Sequence, residues 1–386
     1  MTNIPEQVYD RMIDHLRNGT TDLADKMLDV PVSNFTCPDH LAKELAVFRK
    51  QPLIVAMSSE LAESGSFVTR DILGTPLLIV RKKDGSIAVF RNMCSHRGGK
   101  VELEQKGKKP FFTCSYHGWS YDSNGALRGI PYEDQLGEID KNCRSLQSVS
   151  SEERHGIIWA NLSGDNENSL SQYLGKADNS LKNYSVENTV IFMEKWIDAD
   201  INWKLVMDGA IDVLHPQFLH PQGVGKLIQT NAAVWLDYGR HGQSFSARKR
   251  LTEKVKAGEK IEAGWRYITG NLVLFPNASL IPTPDHFEFW NVWPNLSDPA
   301  KCRIHIRFLT DPEKLNDKIA ERINRSWEIL EQAATEEDFP MEETIQANAN
   351  AQPSGDFLYG RCEAPCQHLH RQMAKEIAKE TRGLSS

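Results

Sequence analysis

Two short stretches, Cys94-Ser-His96-Arg-Gly-Gly and Cys114-Ser-Tyr-His117-Gly-Trp, constrain the fold of this chain more than any others. Each offers one thiolate and one imidazole, and 17 residues separate His96 from Cys114. The flanking sequence is strand-like. The run PLLIVRKKDGSIAVFRN holds two β-rich segments around Asp84-Gly85, a strong short-range hairpin signal. FFTCSYHGWSYDSNGALRGI predicts a second pair of short strands with Asn124-Gly125 at its later turn. ERHGIIWANL, residues 153–162, predicts the closing strand. Residues 52–163 are thus expected to form a small all-β unit that presents both stretches on loops.

Four ligands of two kinds suit a [2Fe-2S] cluster, in which two imidazoles replacing two thiolates on one iron raise the reduction potential. The neutral nitrogen ligands remove negative charge, so the reduced state is easier to reach. Gly98, Gly99 and Gly118 are expected to let backbone N–H groups turn toward sulfur and favour reduction further. A structural zinc ion accepts the same ligand set. Zinc-finger spacing, however, pairs cysteine with cysteine and histidine with histidine, whereas each stretch here mixes them. The two stretches resemble the Rieske family, in the C-x-H and C-x-x-H pattern and in the surrounding His-Arg-Gly and Tyr-His-Gly-Trp. The resemblance implies that Cys94, His96, Cys114 and His117 hold the cluster. Respiratory-chain members carry an extra cysteine in each loop, joined as a disulfide. Gly99 and Tyr116 stand at those places here, which implies the oxygenase or ferredoxin type.

DVLHPQFLH, residues 212–220, is the second concentration of ligand-type side chains. On a helix, Asp212 and His215 would lie one turn apart on one face. His215 and His220 would lie about 140° apart around an unbroken helix of about 3.6 residues per turn. Pro216 lacks an N–H and crowds the preceding turn, so the helix is expected to end or kink near His215. The bend can then return His220 toward His215. Taken alone, two histidines near a helix end are more often hydrogen-bonded core or surface residues.

Residues 202–220 resemble the mononuclear iron segment of Rieske non-haem iron oxygenases, with the Asn-Trp-Lys opening, Asp-x-x-His and a second histidine five residues on. The likeness runs over most of the chain from about residue 50, including Trp-Pro-Asn at 293–295 and the late acidic TEEDFPMEETIQ. It implies a facial triad of His215, His220 and Asp338 on Fe(II), an arrangement that leaves positions for oxygen. Glu337 and Glu342 are the neighbouring carboxylates should the register differ. Asp212 becomes a bridge rather than a ligand, hydrogen-bonding an iron histidine and a Rieske histidine of a neighbouring subunit. Some relatives place an asparagine four residues before the bridge, where this chain has Asp208.

The patterning divides the chain into a largely helical 1–51, the all-β 52–163, and an α+β segment over 164–386. The resemblance implies that the last is a helix-grip catalytic domain, an antiparallel sheet flanked by helices. NENSLSQYLGKADNSLKNYS reads as a polar connection and INWKLVMDGAIDVL as a helix. AAVWLDYG, QSFSARKRL, NLVLFP, FEFWNVWP and CRIHIRFL read as strands. DPEKLNDKIAERINRSWEILEQAATEED reads as one long amphipathic helix opening on Pro312, and a last helix covers about 364–380.

A formal charge of −7 leaves no basic footprint for nucleic acid. No stretch has the apolar length of a bilayer span or a signal peptide, so a cytoplasmic protein is expected. Seven cysteines, odd in number and sparse, favour ligands over disulfide bridges. No GxGxxG follows a strand, so electrons from NAD(P)H are expected to need a separate reductase, with or without a ferredoxin. The resemblance to α-only homotrimeric oxygenases implies monooxygenation: hydroxylation or demethylation of an aromatic or other apolar small molecule. Ring cis-dihydroxylation is the alternative. A non-catalytic electron carrier or binding protein is the rival outside the enzymes.

Val206, Met207, Ala210 and Phe218, with the strand residues Trp235, Phe245, Leu280 and Trp290, are candidates for the substrate pocket against ordinary core packing. Cys362, Cys366, His368 and His370 offer a further ligand-like set, but they fall where an ordinary C-terminal helix is expected. Arg248-Lys249-Arg250 reads as the solvated face of a strand, contact with an acidic substrate or a redox partner being the alternative.

Overall fold

The Asp84-Gly85 and Asn124-Gly125 turns form as the sequence predicts. Gly85 and Gly125 both take positive φ, and Asp84 Oδ1 accepts the Ser86 N–H at 3.0 Å. The computed structural model describes residues 4–164, 169–259, 261 and 264–383, so part of the expected connection at 166–185 lies outside the described residues. The chain divides into two compact units. One comprises Phe48–Leu170 and Val186–Asn188, the other Met1–Val47, Ser171–Ser185 and Thr189–Ser386.

The smaller unit is all-β. Its seven-stranded antiparallel sheet runs in the order Pro52–Met57, Ile157–Asn161, Ser148–Arg154, Ile87–Arg91, Thr75–Arg81, Ser66–Ile72, Lys106–Lys108. A three-stranded sheet is built from Phe111–Thr113, Ser120–Asp122 and Leu127–Gly129. The expected single closing strand at 153–162 is a hairpin instead. The chain reverses at His155-Gly156, where both residues take positive φ and a Cβ on Gly156 would meet the Glu187 backbone at 2.5 Å. Phe67, Leu78, Phe90, Phe112, Trp119 and Tyr121 form the core of this unit, and Cys94 and Cys114 are buried in it.

The larger unit is α+β. Its antiparallel sheet runs Val190–Ala199, Cys302–Thr310, Phe287–Pro294, Ala278–Pro282, Ile268–Leu274, His241–Arg248, Ile228–Tyr238. The strands at 190–199 and 278–282 escape the sequence reading, because the first is only partly buried along its length and the second is five residues long. Arg248 closes its strand, whereas Lys249 and Arg250 open the helix Lys249–Lys256 rather than extending a strand. The expected long helix does not open on Pro312. It begins at Asp317, where the Asn316 side chain accepts the Ile319 N–H at 3.1 Å, while Asp311 draws the preceding residues into a turn. That helix ends at Gln332, a six-residue π-helical turn covers Ala333–Asp338, and a helix at Phe339–Ala351 follows. The last helix is Ala364–Gly383. Among the described residues no helix is long and apolar enough to cross a membrane.

Residues 1–47 belong to the larger unit and do not stand apart as a helical segment. Between the helices Glu6–Asn18 and Pro38–Lys50, the strand Leu28–Pro31 pairs with Asp356–Tyr359. Ion pairing anchors them further. Lys204 and Glu44 are both buried, with Nζ 2.6 Å from Oε1, and Trp203 Nε1 donates to Glu44 Oε2 at 2.8 Å. Burial alone would raise the Glu44 carboxyl, but the Lys204 ammonium and His40 hold it below its ordinary value. Asn202 caps the same helix, Trp203–Ile211, by accepting the Lys204 N–H, and its amide also donates to Phe35 O and Pro299 O. The Asn-Trp-Lys opening is therefore a fastening. It fixes the helix that leads directly into Asp212.

Removing one member of this pair leaves a buried, uncompensated charge. Lys204→Ala is expected to cost about 3–5 kcal/mol of unfolding free energy, read from the denaturant midpoint. Glu44→Gln combined with Lys204→Met should recover most of that loss.

Candidate metal centres

Both cysteine loops close in the same way. The Cys94 carbonyl accepts from Gly98 N at 2.9 Å and Cys94 N donates to Gly99 O at 2.7 Å. Cys114 repeats this with Gly118 and Trp119, both at 2.9 Å. Gly98 and Gly118 have φ of +79° and +73°, a region a side chain rarely adopts. Their N–H groups thus close the loops onto the cysteine carbonyls and do not turn to sulfur as expected, because the positive φ aims them along the turn. The sulfur has another partner that the sequence reading missed. Tyr121 Oη lies 3.2 Å from Cys94 Sγ and accepts the Ser95 N–H at 3.1 Å. Burial and the Cys94 contact push the Tyr121 hydroxyl up to about 12, so it stays a donor to a thiolate. Its place in a strand seven residues after Cys114 gives no signal of that role in the sequence.

His96 and His117 approach with ring centroids 4.6 Å apart, and His96 stacks on Trp119 at 4.8 Å and 7°. Nδ1 of His96 is buried and has no hydrogen-bond partner, as suits an atom that ligates a metal. Nε2 of His117 is contacted by Arg97, whose charge, after the local desolvation, lowers the His117 imidazole below its ordinary value. A Cβ on Gly99 would stand 3.4 Å from Cys114 Sγ, so glycine allows the two loops to approach there. Among the described residues, only His215, His220 and Asp338 bring three donor atoms all within 4.8 Å of one another. Donors of a tetrahedral zinc ion would lie roughly 3.5 Å apart given its bond lengths. No three donors of Cys94, His96, Cys114 and His117 are that close among the described residues, which does not fit a single tetrahedral ion.

The second site forms where the helix Trp203–Ile211 stops. It ends at Ile211, four residues earlier than Pro216 would demand, because Asp212 is extended and its carboxylate captures the next N–H groups. Oδ1 accepts from Leu214 N at 2.9 Å, and Oδ2 accepts from His215 N at 3.1 Å and meets His215 Nδ1 at 3.0 Å. Asp212 and His215 thus meet through this cap and not as helical neighbours. Pro216 then opens the short helix Pro216–Leu219, which delivers His220. The imidazoles lie 5.2 Å apart at 80°, and their Nε2 atoms stand 3.6 Å (His215) and 2.9 Å (His220) from Asp338 Oδ1.

Glu337 contacts Nδ1 of His220, on the other edge of that ring. Each imidazole is therefore held at Nδ1 by one carboxylate and directed at Asp338 through Nε2. Consecutive residues 337 and 338 reach the same histidine from the π-helical turn, whose widened backbone alters the side-chain spacing of an α-helix. Pro340 has no N–H to return to residue 336 and crowds that turn, which gives the widening a local cause. Burial alone would depress the His220 imidazole, but Asp338 and Glu337 raise it above its ordinary value. Glu342 is elsewhere. It is buried against Gly209, and burial pushes its carboxyl well above the usual range.

Asp208 is engaged by the C-terminal segment. His370 Nε2 lies 2.9 Å from Oδ2 and Tyr359 donates to the same oxygen at 2.6 Å. His370 is thus a hydrogen-bond partner, and Cys362, Cys366, His368 and His370 form no metal-type group among the described residues. A cavity of about 320 Å³ opens beside the triad, lined by Asp212, His215, His220 and Asp338. Of the expected pocket residues, Ala210 and Trp290 line it. Val206, Met207, Phe245 and Leu280 are core, Trp235 packs on His368, and Phe218 is exposed. The strand period decides this, because Ser244 and Ser246 face the cavity and Phe245 faces away.

Residues 186–379 match the family described as the ring hydroxylating alpha subunit (catalytic domain), and residues 51–147 match the Rieske [2Fe-2S] domain. The benzene 1,2-dioxygenase subunit alpha of Pseudomonas putida is 29% identical over 64% of this chain and 63% of its own length. The glycine betaine monooxygenase oxygenase subunit of Chromohalobacter salexigens is 29% identical over 47% of this chain and 41% of its own. The matched region therefore spans less than two thirds of those relatives. The quaternary ammonium Rieske monooxygenase CntA, in complex with L-carnitine, superposes with a TM-score of 0.75 at 19% identity, covering 97% of this chain and 99% of that one. That likeness is one of fold.

The Glu337 contact makes a test of the site. Glu337→Ala is expected to weaken Fe(II) binding about 10–100-fold, measured by titrating chelator-treated protein, with the visible absorbance of the cluster retained. Unchanged affinity would mean that Glu337 does not orient His220.

Proposed function

The chain belongs to the ring hydroxylating alpha subunit family, and we propose that it is the terminal oxygenase of a Rieske non-haem iron system acting on a small organic molecule. The observation that carries this reading is the convergence of His215, His220 and Asp338, within 4.8 Å and beside a cavity, in a chain that also holds the four Rieske donors. Cys94, His96, Cys114 and His117 hold the cluster in this reading, and His215, His220 and Asp338 hold one Fe(II). Bound there, the cluster supplies single electrons and the iron, with its open positions, supplies dioxygen activation.

The protein's own contribution is orientation. Asp212 and Glu337 fix which nitrogen of each imidazole carries the proton, so that both Nε2 lone pairs are offered on one side. Asp212 is held low by His215 and two backbone N–H groups although burial opposes this, and it remains an acceptor near neutral pH. We assign to it the hydrogen-bonded link toward the Rieske histidine of a neighbouring protomer in a homotrimer. Electrons come from NAD(P)H through a separate reductase, with or without a ferredoxin.

One-oxygen chemistry, hydroxylation or demethylation, is the preferred outcome. The likeness to the glycine betaine monooxygenase subunit supports it. The likeness to the benzene 1,2-dioxygenase subunit supports cis-dihydroxylation as the second reading.

Metal analysis should find about three irons per chain for two centres of this kind; two would indicate an electron carrier. With an added reductase and labelled dioxygen, Asp212→Ala is expected to keep both metals and lose turnover by at least about 100-fold. Full activity in that variant would refute the link, and His215→Ala should lose one iron per chain while the cluster spectrum persists.

A further inference from the structure

The cavity wall formed by the sheet is more polar than an apolar substrate requires. Ser244, Ser246 and Arg248 reach it from one strand, with Thr269 and Asn271 beside them on the next. Asn271 is already engaged, donating to Ala210 O at 2.7 Å and accepting from Ser279 Oγ at 2.7 Å. Arg248 is not. Its Nε is enclosed and meets no acceptor, and among the described residues the guanidinium forms no ion pair.

Asp285 pairs with Arg322 at 2.8 Å, whereas Glu288, 3.8 Å from His286 Nε2, has no hydrogen bond to that ring, whose Nε2 is itself without a partner. Glu288 also lines the cavity and acts on Arg248 only through space, which favours the charged form of the guanidinium against its burial. A cation placed in a cavity wall without a partner is costly unless a ligand completes it. The planar fork of arginine fits a carboxylate through two parallel N–H bonds. Among the described residues, Trp290 is the one tryptophan, tyrosine or phenylalanine in the lining, fewer than the several faces of an aromatic cage for a quaternary ammonium group. The volume of about 320 Å³ is at the small end of ligand pockets.

We propose that the substrate of this site is a small carboxylic acid whose carboxylate is held by Arg248. This rests on the oxygenase reading for what happens to the acid, but not for its binding. Calorimetric titration of the iron-loaded holoprotein under argon reads binding without turnover. The probes are matched acid–amide pairs: benzoate with benzamide, phenylacetate with phenylacetamide, and hexanoate with hexanamide. At least one acid is expected to bind about tenfold or more tightly than its own amide. The preference should vanish in Arg248→Met and persist, weakened, in Arg248→Lys. If no acid is preferred over its amide, including the case in which none binds, the proposal is overturned. A preference unchanged in Arg248→Met overturns it equally. If Arg248→Met fails to fold, Arg248→Gln is read in its place, with the same loss of preference expected and an unchanged preference overturning the proposal. An acid that binds with the expected preference, but is not oxidised when reductase and dioxygen are supplied, counts against the oxygenase reading and leaves the acid site standing.

Discussion

Two carboxylate–imidazole contacts organise the catalytic half of this protein. Asp212 holds Nδ1 of His215, and Glu337 holds Nδ1 of His220. A histidine free at both nitrogens can rotate and exchange tautomers, so its lone pair has no fixed direction. With Nδ1 engaged, the proton is placed and Nε2 is left to face Asp338. Three donors then converge within 4.8 Å of one another. The same carboxylates add negative charge around the three donors, which a positive charge, on a bound cation or on a protonated imidazole, balances.

These contacts depend on where two helices stop. The helix Trp203–Ile211 is fastened at its start by Asn202, Trp203 and the buried Lys204–Glu44 pair, so its end is fixed in space. At that end Asp212 leaves the helix and caps the following turn, which would be impossible if its carboxylate pointed along a continuing helical face. On the far side, the π-helical turn Ala333–Asp338 brings two adjacent acids to one imidazole. Helix ends and a widened turn, not helix middles, supply the ligand geometry.

The Rieske half follows a different rule. Its loops are short, repeated and closed by their own backbones, with Gly98 and Gly118 in the left-handed region at equivalent places. Because the cysteines belong to the hydrophobic core of that unit, the loops are held rigidly relative to its sheets. Tyr121 reaches Cys94 Sγ from that core, and a hydrogen bond to sulfur raises a cluster's potential by stabilising the added negative charge.

What the sequence alone determined was whatever is written over short range. The mixed Cys–His loops, their glycines, the two Asx-Gly hairpin turns and the Asp-x-x-His-Pro run all draw on residues a few positions apart, whose φ/ψ preferences and ligand chemistry act locally. The alternation of apolar residues likewise disclosed an all-β and an α+β part. Only the tertiary structure decided which of Glu337, Asp338 and Glu342 faces the imidazoles, since that register lies 117 residues away from His220 and turns on a backbone widening. It also decided that the helix yields to Asp212 before it yields to Pro216, that Asp208 faces Tyr359 and His370, and that Arg248 enters a cavity wall. Periodicity tells a side chain whether it faces inward. What it meets there is set by the packing of distant segments, where competing hydrogen bonds and the charge of unsatisfied groups choose the partner.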